Sequence, residues 1–280
     1  MPVQEHTSHG ISHGVVKDYL CVWDFAFGER GLPLDLNVGS SLALKLKSLG
    51  AQVDDLDFLL RAVKRRIHIA AYGDVIRQTE AVGQLTVLLA GTTCSYRTKE
   101  DGGRRILSFQ HAGDFCDLHR YLLPDADHAI GVQALTDSTV AVIDCGDMDG
   151  LLSRPTLASA LWRASMLEAA IYRARLTSIG RQSALQRVAH LLCEQLARRE
   201  AVGLPARRLP LSQIDIADAT GLSVMYVNRE IQMLRSLNVL SGTCHAIEVI
   251  DKTQLAKIAE FDGRYLSLPE LSSKWTVQVE

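Results

Sequence analysis

Arg229 and Asn228 are the side chains in this chain best suited to recognising another molecule by hydrogen bonds, and the residues around them repeat at helical spacing. In Val224 to Ser236, Val227, Ile231 and Leu234 fall on one face, and Met225, Asn228, Arg229 and Gln232 on another. An arginine there can donate two bonds to guanine O6/N7. An asparagine can pair with adenine or reach a phosphate, and Val224 or Met225 can touch a thymine methyl. Upstream, Ser212-Gln-Ile-Asp215 is a capping box, in which the serine oxygen accepts an N-terminal amide bond and the acid three residues on returns one. Gly221 stands where the chain must turn sharply, and Ser223 caps the second helix.

These residues need a scaffold that presents one helix to a groove. Ala217, Gly221 and Val227 occupy the places where a helix-turn-helix requires a small residue, a turn and an apolar plug. Asn238 to Ile250 supplies two strands around Gly242 for a wing. The spacing therefore predicts a winged helix-turn-helix that inserts its second helix into the DNA major groove. Val224, Met225, Asn228 and Arg229 would lie near base edges, and Ser212, Gln213, Ser223 and His245 near phosphates. A helical protein-interaction module without DNA is the competing reading of the same pattern.

Stepping N-terminally, Thr156 to Gly180 has no Pro or Gly until its end. Leu157, Leu161, Ala164, Leu167, Ile171 and Ala174 recur at three- and four-residue steps, which predicts a long helix whose stripe forms a parallel dimer seam. A second helix is expected over Gln182 to Glu200. From Arg65 to Asp144 the pattern shortens to strands (Ile67 and Ile69, Val75 and Ile76, Leu85 to Leu89, Ile106 to Phe109, Val132 to Leu135, Thr139 to Ile143), separated by Gly- and Asp-containing turns, which predicts an antiparallel roll. Ser41 to Val63 reads as one helix. The expected division is a poorly ordered extension over 1–40, a sensor roll over 41–154, a dimerisation helix over 155–180, the winged helix-turn-helix over 181–268 and a tail over 269–280. The fold class is α+β.

Composition agrees with a folded, non-catalytic chain. Of its 280 residues 47% are hydrophobic, and the net charge of −2 argues against a protein that coats nucleic acid. The charge is uneven, since residues 181–268 carry 11 Lys and Arg against 9 Asp and Glu, leaving the remainder net acidic. No segment has the length and apolarity of a membrane span, and the N-terminus lacks the order of a secretion signal, so the expectation is a cytoplasmic protein. The six cysteines are scattered without C-x-x-C, which suits reduced thiols. No P-loop, G-x-S-x-G or H-E-x-x-H is present, so neither an enzyme nor a metal site nor a bound cofactor is expected. His6, His9 and His13 have metal-compatible spacing but read as bystanders in a leader.

The order of roll, long helix and winged helix-turn-helix resembles the Crp/Fnr family of bacterial transcription regulators across about residues 40–268. The resemblance is carried by Gly102-Gly-Arg-Arg-Ile-Leu-Ser-Phe-Gln-His-Ala-Gly-Asp-Phe-Cys-Asp-Leu and by Leu211 to Arg229. It implies a homodimer, an effector-sensing roll (a cyclic nucleotide-binding-like domain), and contacts with double-stranded promoter DNA and RNA polymerase. Arg229 matches the family's arginine. Met225 stands where many members have a base-reading glutamate, and Glu230 occupies a place that is often apolar. The corresponding effector pocket would involve Gly113, Asp114, Phe115, Cys116, His128 and Ala129. It lacks the Glu and the Arg-Ser or Arg-Thr pair with which members hold cyclic AMP, so an unknown small-molecule effector is expected in place of cyclic AMP. The alternatives within the family are a cyclic-nucleotide response and a redox response through Cys116. An iron–sulfur cluster is not expected, because only Cys21 precedes Cys94.

Overall fold

The computed structural model describes residues 36–78, 83–100, 102–116, 118–123, 129–243 and 246–268, with the backbone alone for 36–40. Two four-stranded antiparallel sheets form a roll. One has the order β1 (Val63–Ile69), β8 (Ser138–Asp144), β3 (Gln84–Ala90), β6 (Phe115–Cys116); the other has β2 (Asp74–Ile76), β7 (Gly131–Ala134), β4 (Thr92–Thr98), β5 (Arg104–His111). The two-residue period of β3 divides its side chains between two cores. Leu88 joins Cys116, Val132, Val140 and Val142 inside the roll. Leu85, Val87 and Leu89 point the other way, onto helices α1 (Leu36–Ser48), α2 (Val53–Ala62), α4 (Met148–Leu152) and the long α5 (Pro155–Arg181). A short α3 (Leu118–Leu122) follows β6.

The expected single helix over Ser41 to Val63 is two. Gly50 takes φ +87°, which ends α1 in a left-handed turn, and the Ala51 amide closes that turn onto the Leu46 carbonyl at 3.0 Å. Helix α1 also begins at Leu36, inside the segment expected to be irregular. All six expected strands form. Strand β4 was hidden because its buried Thr93 and Ser95 are polar, and Gln110 satisfies them by accepting from Thr93 Oγ1 at 2.9 Å and donating to Ser95 Oγ at 2.8 Å.

Helix α5 has 27 residues, about 40 Å of helix, with Pro155 in its first turn. Its neighbour α6 (Ala184–Ala201) starts at a Ser183–Gln186 capping box. The C-terminal domain adds β9 (Arg208–Leu209), α7 (Gln213–Thr220), α8 (Val224–Ser236), β10 (Leu240–Gly242), β11 (Ile247–Val249) and α9 (Lys252–Ala259). Its core is continuous with the outer face of the second sheet, through Cys94, Ile106, Phe109 and Leu135. The molecule is therefore layered as helices, sheet, roll interior, sheet, winged domain.

The stripe expected to form a dimer seam has another use. Leu157 and Leu161 are fully buried in the protomer's own helix-and-sheet core, and Ala164 packs against it. Ile171 is buried against the winged domain with Leu167 beside it, and Ala174 is half-buried. Burial within one chain takes Leu157, Leu161 and Ile171 out of any seam between chains, while Ala164, Leu167 and Ala174 stay partly open. Trp162, Met166 and Leu176 are exposed instead, and together with Ala169, Arg173 and Gly180 they recur at alternating four- and three-residue steps.

Candidate nucleic-acid interface

Ser212 caps α7 with a complete box. Its Oγ accepts the Asp215 amide at 3.2 Å, and Asp215 Oδ2 accepts the Ser212 amide at 3.0 Å. Gly221 ends α7 with φ +72°, and Ser223 Oγ accepts the Tyr226 amide at 3.3 Å to start α8. Val227, Ile231 and Leu234 are fully buried, and Ala217 lies under them. The burial fixes which face of α8 looks outward: Val224, Met225, Asn228 and Arg229 are all exposed, Met225 at 76%.

Two side chains on that face are tied down. Asn228 Nδ2 donates to Gln213 Oε1 at 3.1 Å, joining the two helices. Arg229 lies with its guanidinium carbon 4.7 Å from the Tyr226 ring centroid, and its Nε and Nη2 both donate to Glu230 Oε1, at 3.0 and 2.6 Å. Glu230, the acid at a place that is often apolar, is buried. Strands β9, β10 and β11 form the wing sheet, while His245 lies outside the described residues. Arg235 braces the wing by donating to the Gly242 carbonyl at 2.8 Å.

The roll holds the reading domain directly. Arg104 of β5 donates from Nη2 to Asp215 at 2.6 Å, from Nε to Asp218 at 2.9 Å and from Nη1 to Gln133 at 2.6 Å. No local sequence pattern marks this contact, since its partners lie 111 and 114 residues away.

Of the described residues expected to line an effector pocket, Asp114 and Phe115 line one cavity, while Gly113, Cys116 and Ala129 lie elsewhere. Gly113 has φ +94° and packs on the Ser41 carbonyl. Phe115 belongs to the helix-facing core and Cys116 to the roll interior, where burial makes its thiol a poor redox sensor. Ala129 accepts from Gln78 Nε2, and His128 lies outside the described residues. Asp114 is bound on both sides, by Lys45 at 2.7 Å and Arg198 at 2.9 Å. Burial opposes its ionisation, but those two cations outweigh burial and hold the carboxyl well below its usual range. All three line a cavity of about 40 Å³ together with Ser108, Gln110, Phe115 and Glu168, room for a few waters. Arg198 also faces the buried Glu194, which accepts from Arg175 at 2.9 Å and from Tyr265 at 3.2 Å. Among the described residues no His, Cys, Asp and Glu cluster has the arrangement of a metal site, and no helix is long and apolar enough to cross a membrane.

A helix pair with a buried apolar face, an exposed face carrying Val224, Met225, Asn228 and Arg229, and a wing defines a winged helix-turn-helix DNA-binding protein. Known proteins agree with that class. Residues 186–258 match the Crp-like helix-turn-helix domain, and residues 68–154 match the cyclic nucleotide-binding domain. The nitrogen fixation regulation protein FixK of Rhizobium meliloti is 32% identical over 151 residues, which are 54% of this chain and 66% of that one. The transcriptional activator protein Anr of Pseudomonas protegens is 24% identical over 222 residues, 78% of this chain and 90% of that one. Among solved structures, FixK2 from Bradyrhizobium japonicum superposes with a TM-score of 0.61 at 22% identity, covering 69% of this chain and 96% of its own. The chain belongs to the Crp/Fnr family of transcription regulators, with its DNA-binding helix-turn-helix at the C-terminal end. Its relatives are regulators and not enzymes.

Proposed function

We propose that this chain acts in the cytoplasm as a homodimer on a palindromic promoter site, reading bases through Val224, Met225, Asn228 and Arg229. The observation that carries this is the outward face of α8, exposed ahead of a fully buried Val227, Ile231 and Leu234. Ser212 and Ser223, whose hydroxyls already cap helices, and Gln213 lie at the helix N-termini, where amides and dipoles favour phosphate oxygens. His245 of the wing is a further phosphate contact in this reading. The dimer seam is the row of exposed Trp162, Met166, Arg173 and Leu176 with half-buried Ala169, whose four-three spacing is that of a coiled coil. Bound to a promoter, the dimer works through RNA polymerase.

The signal is a small molecule other than a cyclic nucleotide. Support comes from a roll interior filled by Leu88, Cys116, Val132, Val140 and Val142, and from an Asp114 carboxylate already committed to two cations.

Selection of binding sites from random duplex DNA tests the reading. The expected product is a two-fold symmetric sequence with half-sites about 34 Å apart, bound with an affinity that falls steeply with salt. Enrichment of no sequence overturns it. Trp162→Asp is expected to turn the dimer into a folded monomer in sedimentation, and an unchanged dimer would remove the seam.

A further inference from the structure

The sequence leaves Glu230 unexplained, as an acid where helix-turn-helix proteins commonly bury an apolar residue, on a helix meant to approach a polyanion. We propose that Glu230 and Tyr226 are positioning residues for Arg229, and that they set how strictly Arg229 selects guanine. The inference rests on the reading of α8 as the base-contacting helix.

A guanidinium has two hydrogen-bonding edges that suit bidentate pairing. Glu230 Oε1 accepts from both Nε and Nη2, which occupies one edge. Planarity then directs the other edge, Nη1 with the second Nη2 hydrogen, away from Glu230. The Tyr226 ring lies under the guanidinium face at 4.7 Å and limits its rotation out of that plane. An edge presented in one orientation suits the paired O6 and N7 acceptors of guanine. A freely rotating arginine would settle as readily on a phosphate, which carries no sequence information. Met225, one turn before Arg229, has no oxygen with which to orient it. Glu230, itself only 7% exposed, takes that part from the adjacent position.

Orientation of this kind has a signature that simple destabilisation lacks. Glu230→Gln removes a negative charge near DNA and weakens the clamp. Affinity for unrelated duplex is therefore expected to rise while discrimination for guanine at the Arg229 position falls about tenfold. Discrimination at other positions of the half-site stays the same. Tyr226→Ala is expected to lose discrimination at that one position, and Tyr226→Phe, which keeps the ring face, to retain it.

The experiment measures binding of the full-length dimer to the selected operator and to each single-base variant at fixed salt. Arg229→Ala runs in parallel, and thermal melting of every variant confirms folding. Selective loss at the Arg229 position in Glu230→Gln and Tyr226→Ala supports the proposal. If Arg229→Ala abolishes guanine preference while Glu230→Gln leaves or increases it, the positioning role is wrong and Glu230 only competes with the base. If Arg229→Ala itself leaves every base preference intact, the base-reading assignment of α8 fails instead.

Discussion

Arg104→Ala probes whether the reading domain is docked on the roll. The substitution removes three hydrogen bonds, to Asp215, Asp218 and Gln133, and the packing of a side chain that is 20% exposed. Truncating one member of a buried ion pair costs about 3–5 kcal/mol when the partner is left uncompensated. Here the loss is smaller. Asp215 keeps its Ser212 bonds through Oδ2, and Asp218 is partly open to water. The expected cost is therefore about 2 kcal/mol, or a fall in Tm of about 4–8 °C for a chain of this size. Calorimetry at one fixed protein concentration is the assay, because self-association shifts Tm by mass action. Arg104→Met retains the apolar stem and separates packing from charge. A double-mutant cycle with Asp218→Ala should give a coupling of about 1 kcal/mol. A Tm change below about 1 °C together with zero coupling would show that β5 and α7 are not joined in solution, and the layered arrangement would have to be abandoned.

Three further outcomes are expected. His111 is pushed down to about 3 by burial first and by the nearby Arg198 and Arg199. Since Gln195 donates to Glu194, its Oε1 must accept from His111 Nε2, and burial keeps the ring neutral. Below about pH 6.5 the unfolded chain gains a proton that the folded chain refuses, so stability falls with pH by up to about 1.4 kcal/mol per unit and levels off near the folded value. His111→Gln should make the acid loss below about pH 6.5 shallower without abolishing it, because burial lowers the His190 imidazole as well, and an unchanged slope of stability against pH would refute the assignment. Leu161→Ala should cost about 3 kcal/mol by opening a cavity while leaving oligomeric state unchanged, in contrast to Trp162→Asp; sedimentation and chemical denaturation separate the two. Gly221→Val forces a β-branched residue into φ +72° and aims its Cβ at the Arg105 guanidinium, which should cost about 2 kcal/mol, and an unaltered melting curve would contradict the tight turn.

The reading helix was legible because its signals are local. Ser212 with Asp215, Gly221, and the Val227, Ile231 and Leu234 row each lie within a few residues of the partners they serve. The strands with apolar alternation were legible for the same reason, and polar β4 was not. Choosing which stripe of α5 faces inward was beyond periodicity, because the helix carries two apolar rows and only tertiary packing distinguishes them. Arg104 and Asp114 were similarly opaque: a charged residue beside a glycine corner gives no hint that its partners sit on α1, α6 or α7. The clamp on Arg229 lay in plain view in sequence as Tyr226 and Glu230, yet without coordinates an acid beside an arginine is indistinguishable from a solvated pair.

Helix α5 gives its first half to the core under the roll and its second half to the core under the winged domain. Roll and winged domain are consequently not interchangeable cassettes. A cut at Gln182, the obvious seam on paper, would strip the reader of Leu167, Ile171, Ile106 and Phe109 and leave an oily scar in their place. Anyone grafting this reader onto a foreign sensor must carry over the distal half of the helix and rebuild the outer wall of the second sheet, so that new specificities are more readily obtained by editing α8 in place.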